Sequence, residues 1–119
     1  MLLLGPGTSQ TMLTTTERSV IEEMVRRLVL ALQPESIYLF GSRARGDGNA
    51  DSDFDLLVIV ASSVLPPHQR ERLAFRALCG VGVSKDVLVF TREEFQRRSK
   101  VPSSLPATVL REGRLVYAV

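Results

Sequence analysis

The chain holds one cysteine, one histidine and two lysines in 119 residues, and each scarcity closes off a class of function. Cys79 has no second cysteine for a disulfide within the chain. With His68 as the only histidine, no cysteine-histidine cluster of zinc spacing can form. That pattern points to a reducing compartment, the cytoplasm. Lysine is confined to Lys85 and Lys100, so arginine carries the positive charge, a planar fork suited to phosphate contacts or ion pairs. The formal net charge is only +2, too little for strong nucleic-acid binding on charge alone. No apolar run approaches the length of a membrane span. Met1-Leu2-Leu3-Leu4-Gly5-Pro6-Gly7 lacks the basic flank and the apolar length of a signal peptide. Repeats and low-complexity tracts are missing as well.

What remains has the makeup of one globular domain: 45% hydrophobic and 24% charged residues, in a chain too short for two ordinary cores. Residues 1–13, rich in glycine, threonine and serine, are expected to form a flexible tail, and residues 14–119 the domain. Thr14-x-x-Glu17 has the capping-box pattern ahead of Ile21, Met24, Val25, Leu28, Val29 and Leu32 at helical spacing, which predicts a first helix ending before Pro34. Ser36 to Phe40 reads as a strand stopped by Gly41, and Phe54 to Val60 as a nearly continuous apolar strand. Pro66-Pro67 opens a helix to about Cys79 with Leu73, Ala74, Ala77 and Leu78 inward and Arg70, Arg72 and Arg76 in solvent. Val83 to Phe90 is a third strand. Thr91-x-x-Glu94 caps a short helix to about Arg98, Ser103 or Ser104 opens another that Gly113 ends, and Leu115 to Val119 is a last strand. The order predicts an α/β (α+β) fold, a mixed β-sheet with helices packed against it.

The informative stretch is Gly41-Ser42-Arg43-Ala44-Arg45-Gly46-Asp47-Gly48-Asn49-Ala50-Asp51-Ser52-Asp53-Phe54-Asp55. Gly41 lets the backbone turn sharply and approach an anion, Ser42 is placed to cap a brief helix over Arg43 to Arg45, and Arg43 or Arg45 adds charge for a triphosphate. A Gly-Ser pair alone is an ordinary turn; the carboxylates downstream change its meaning. On a strand Asp53 and Asp55 share a face with α-carbons about 7 Å apart, close enough to converge on a magnesium pair separated by about 3.5 to 4 Å. Asp47 and Asp51 suit turn capping, whereas Asp55 opens the run Leu56-Leu57-Val58-Ile59-Val60, where an unpaired carboxylate is costly. Asp86 stands in the apolar third strand and is either a third metal carboxylate or half of an ion pair with Lys85 or an arginine. Cys79 reads as a buried small apolar residue, His68 and the run Arg97-Arg98-Ser99-Lys100 as solvated positions, and Tyr38 and Tyr117 as sheet residues.

Gly41-Ser42, ten intervening residues and Asp53-x-Asp55 resemble the nucleotidyltransferase signature of the DNA polymerase β superfamily. Phe40 to Gly46, Ser52 to Val58 and Leu110-Arg111-Glu112-Gly113-Arg114-Leu115-Val116-Tyr117 are similar to the minimal nucleotidyltransferases of prokaryotic two-gene modules. The resemblance spans most of residues 17 to 118. It implies a nucleotidyltransferase fold, with Asp53, Asp55 and Asp86 as catalytic magnesium carboxylates, two Mg2+ ions, and Gly41 and Ser42 on the triphosphate of ATP. It implies a helical toxin of the HEPN type as partner, and an antitoxin that transfers AMP to a tyrosine hydroxyl of that toxin. Two other expectations stand beside this one: a binding module that blocks its partner without catalysis, and a dimer that modifies a small molecule.

Overall fold

In the computed structural model, which describes residue 2 and residues 13–49 and 51–119, the first helix forms where the capping box lies. Helix α1 spans Thr15–Leu32; Thr14 N–H donates to Glu17 Oε1 at 2.8 Å and Glu17 N–H to Thr14 Oγ1 at 3.0 Å. These two bonds satisfy amide groups that the first turn cannot pair internally. Ile21, Met24, Val25 and Leu28 recur on one face and are buried, and the helix ends at Gln33, left-handed at φ 49°, ahead of Pro34. Each such side chain contributes about 1.5–3 kcal/mol by leaving water.

The sheet runs β3-β2-β1-β4, with β1 at Ser36–Phe40, β2 at Phe54–Val60, β3 at Lys85–Thr91 and β4 at Arg114–Ala118. β1 is antiparallel to both β2 and β4, whereas β2 and β3 run parallel, joined through helix α3 at Pro67–Ala77. A parallel pair needs such a crossover, and α3 provides it. Alternation along β2 sends Phe54, Leu56, Val58 and Val60 into a core with α1 and α3, while Leu57 and Ile59 pack with Phe90, Phe95 and Val109 on the other face. That second face is covered by α4 at Arg92–Ser99, opened by the Thr91 and Glu94 capping box, and α5 at Leu105–Glu112, capped by Ser104. Helices thus sandwich the mixed sheet, as the sequence predicts. No helix among the described residues is long and apolar enough to cross a membrane.

Several details differ from expectation, among them Cys79, which is exposed rather than buried. Arg70 is 4% exposed rather than in solvent: the first turns of α3 abut the edge of β3, where Arg70 donates to Val89 O at 3.0 Å and forks onto Glu94 at 2.9 and 3.0 Å. Leu73, expected inward, lies at the surface, and β3 begins at Lys85 because Val83 and Ser84 belong to the loop before it. The helix after Gly41, α2 at Ser42–Arg45, has Gly41 as its N-cap, so the Ser42 hydroxyl does not cap it. Of the expected tail, residues 1 and 3–12 lie outside the described residues. Leu13 is buried in the core, and Leu2 forms an isolated antiparallel bridge with Tyr117.

Candidate active site

The end of β1 and the start of β2 meet at one point, because Phe40 is the register partner of Asp55. The next residue, Gly41, has φ 78° and ψ −160°, a conformation that side-chain-bearing residues rarely adopt. Its carbonyl accepts from Ala44 N–H at 3.1 Å and Arg45 N–H at 3.2 Å, which winds α2 directly off the strand. A Cβ on Gly41 would overlap Oδ2 of Asp55. The carboxylate therefore lies close against bare backbone, and glycine is required for both the turn and the space.

Across the parallel pair Asp55 is the register partner of Asp86, and Asp53 stands just before β2, close enough for its charge to act on Asp55. The three acids expected from the sequence are thus brought to one edge of the sheet. Asp53 and Asp86 are exposed and Asp55 is half-buried. Burial, and then the charges of Asp53 and Asp86, push the Asp55 carboxyl above its usual range, against an opposing pull from Arg45. Lys85 does not neutralise this edge at Asp86; its Nζ donates to Val83 O at 3.0 Å.

The two arginines expected near a phosphate part company. Arg45, 46% exposed, stays on the acid side, 3.2 Å from Asp47 and 3.9 Å from Glu112 at the end of α5. Arg43 turns to the opposite face. It is 9% exposed, pairs with Glu17 at 2.6 Å, donates to Ser52 O at 2.9 Å, and lies 4.0 Å over the Phe54 ring. Its neighbours tie α1 to the loop, so its role here is packing. Ser42 accepts from Gly46 and Asp47 through its carbonyl, at 3.0 and 3.1 Å, and Gly48 closes down on its hydroxyl, where a Cβ would lie 3.1 Å from Ser42 Oγ. Asp51 N–H donates to Asn49 Oδ1 at 2.9 Å and Asn49 N–H to Ser52 Oγ at 2.9 Å, so Asn49 and Ser52 supply the turn-capping oxygens expected of Asp47 and Asp51, while the Asp47 carboxylate pairs with Arg45.

Two residues of this edge carried no signal of their own in the sequence. Ser84 Oγ donates to Asp53 Oδ1, and Glu112 approaches Arg45. Glu112 could be found only as part of the carboxyl-terminal pattern; its neighbour Gly113 passes so close to β1 that a Cβ would lie 3.1 Å from Leu39 O.

Among the described residues no three acidic, cysteine or histidine side chains close into a ready-made metal cage. Mg2+ does not require one, since it is held by one or two carboxylates with substrate phosphates and keeps several waters. The donor set fits such an ion: three carboxylates of hard oxygen, gathered on one edge, one of them pushed up by burial and then by the charge of the other two. Chemistry at such an edge is transfer of a phosphoryl or nucleotidyl group, and a mixed sheet of this kind is the nucleotidyltransferase fold. The chain belongs to the nucleotidyltransferase domain family, which it matches over residues 18–116. Solved structures share the fold. A toxin-antitoxin with AMP-PNP is 20% identical with a TM-score of 0.60, covering 82% of this chain and 73% of that one. A mutant of the toxin-antitoxin MntA-HpeT is 19% identical with a TM-score of 0.57 and the same coverage, and a second mutant of it is 21% identical with a TM-score of 0.52. No curated protein sequence is significantly similar to the chain.

Proposed function

We propose that this chain is a magnesium-dependent nucleotidyltransferase of the cytoplasm that moves AMP from ATP to a hydroxyl, that of a tyrosine, on a HEPN-type toxin, and so acts as its antitoxin. The observation that carries the reading is the Asp55 carboxylate, laid against Gly41 and in register with Asp86. The fold is shared with proteins described as toxin-antitoxins, one of them with AMP-PNP, an ATP analogue, which supports both the nucleotide and the partner.

In this reading Gly41 and Ser42 offer backbone amides and a hydroxyl to the triphosphate, and Arg45, held loosely at the rim by Asp47 and Glu112, adds positive charge. Asp53, Asp55 and Asp86 hold Mg2+, which when bound neutralises charge on the transferring group and the leaving pyrophosphate. Asp86, exposed at the edge, orients the acceptor hydroxyl and receives its proton. The acceptor oxygen bonds to the α-phosphorus as the bond from that phosphorus to the oxygen bridging to the β-phosphate breaks. Pyrophosphate leaves with that oxygen. Alignment of oxygen, phosphorus and leaving group is the main contribution of the site.

The test is to incubate the chain with a HEPN-type toxin, ATP and Mg2+, and to weigh the toxin. One adenylyl group on the toxin is expected, lost in Asp53→Asn and in Asp55→Asn while both variants stay folded. Binding of the toxin with no mass increment would mean blocking by contact alone, and wild-type turnover in either variant would remove the aspartates from the mechanism.

A further inference from the structure

The loop between α3 and β3 contains two glycines with left-handed backbone, Gly80 at φ 89° and Gly82 at φ 86°. A Cβ at either would meet nothing within 4 Å, so glycine serves the path of the chain there and not its packing. The path ends at Ser84, which makes two bonds to consecutive residues at the mouth of β2. Its carbonyl accepts from Phe54 N–H at 3.0 Å, and its hydroxyl donates to Oδ1 of Asp53. Phe54 is buried and fixed in the core, so the first bond anchors Ser84 and the second passes that rigidity to an exposed carboxylate.

We propose that Ser84 is a positioning residue that holds Asp53 in line with Asp55 for a divalent cation. The inference rests on the nucleotidyl-transfer reading of the three aspartates. Asp53 stands within reach of the like charge of Asp55 and is open to water, where an unrestrained carboxylate samples several rotamers. A hydroxyl that engages one oxygen removes that freedom before the cation arrives, so less ordering is required at binding. Partners of this kind behind metal-holding side chains typically govern about 10–100-fold in metal affinity.

The experiment is a titration of the chain with Mn2+ alone, read by the electron paramagnetic resonance of the free ion, for wild type, Ser84→Ala, Ser84→Thr and Asp53→Asn. Ser84→Ala is expected to weaken Mn2+ about tenfold or more. Ser84→Thr, which keeps the hydroxyl, stays within about twofold of wild type, and Asp53→Asn loses the site. The bond from Phe54 uses the Ser84 backbone, so it survives in both Ser84 variants. If alanine nonetheless lowers the melting temperature, threonine decides: restored affinity supports the positioning role, and a threonine variant as weak as alanine overturns it. Wild-type affinity in Ser84→Ala alongside loss in Asp53→Asn overturns the role of Ser84 and leaves the site intact. Mn2+ binding that does not depend on Asp53 overturns the nucleotidyl-transfer reading and this inference with it.

Discussion

Gly41→Ala separates what the backbone requires from what the carboxylate requires. At φ 78° and ψ −160° an alanine carries a conformational cost of about 1–3 kcal/mol. Its Cβ would also overlap Asp55 Oδ2 and come within 3.3 Å of Asp55 Cγ. The atom met first is the end of a side chain, so the carboxylate rotates away while β2 stays in place. That rotation takes it off the face shared with Asp53 and Asp86. For 119 residues the unfolding entropy is about 250 cal/mol/K, so the strain lowers the melting temperature by about 4–12 °C. A misplacement of about 1 Å at the reacting centre costs roughly a hundredfold in rate. Gly80→Ala supplies the comparison. It sits at φ 89° with open space around the added methyl, so it loses about 1–2 kcal/mol by strain and keeps its activity. Thermal melts and adenylyl transfer on both variants are the assay. Gly41→Ala turning over at the wild-type rate, or both variants losing rate in step with stability, would refute the steric link between the turn and Asp55.

Glu94→Gln leaves Arg70 buried with half its fork unanswered and is expected to cost about 3 kcal/mol at neutral pH. Chiefly through its hydrogen bonds from Arg70, the Glu94 carboxyl titrates at about 2 instead of 4.5, so this stability is complete above about pH 4.5 and is lost as pH falls toward 2; urea midpoints that run parallel for wild type and variant across that range would contradict it. Gly113→Ala places a Cβ 2.6 Å from Val109 O and 3.1 Å from Leu39 O, an overlap of backbone on backbone expected to lower stability by about 1–3 kcal/mol in urea unfolding. Arg43→Met is expected to cost about 2–3 kcal/mol by breaking the pair with Glu17 and to leave KM for ATP unchanged. Arg45→Met is expected to change stability by under about 0.5 kcal/mol and raise KM about tenfold, and steady-state kinetics with the reverse pattern would exchange the two roles.

The elements that sequence reveals here are those whose cause is local. Both capping boxes, Thr14 with Glu17 and Thr91 with Glu94, are four-residue patterns whose bonds close within themselves, and the alternation of β2 is a property of β2 alone. Arg43 and Arg70 are the counterexamples. Helical spacing and turn composition put both toward solvent or ligand, yet each is drawn inward by a carboxylate 26 and 24 residues away. Glu17 and Glu94 are the very residues that close the capping boxes, so each glutamate stabilises its own helix start and also fixes an arginine from another element. Nothing in a capping pattern announces that second bond.

The candidate site divides along the same line. Asp53 and Asp55 are legible because strand period puts them on one face, but their relation to Asp86 depends on the parallel register that the α3 crossover creates. Ser84 has no legible pattern, since the sequence reads it as an ordinary residue at the start of the third strand until the crossover lays it beside Asp53. The carboxyl-terminal pattern owes its place to a contact of the same long range. Gly113 lets the end of α5 run against Leu39 O, and that brings Glu112 to Arg45, whose charge opposes the upward push on Asp55. The acid edge is therefore held from three separate stretches of chain: by the Gly41 turn below Asp55, by Ser84 beside Asp53, and by the end of α5 through Arg45. Only the first of these lies within the motif that marks the site in the sequence.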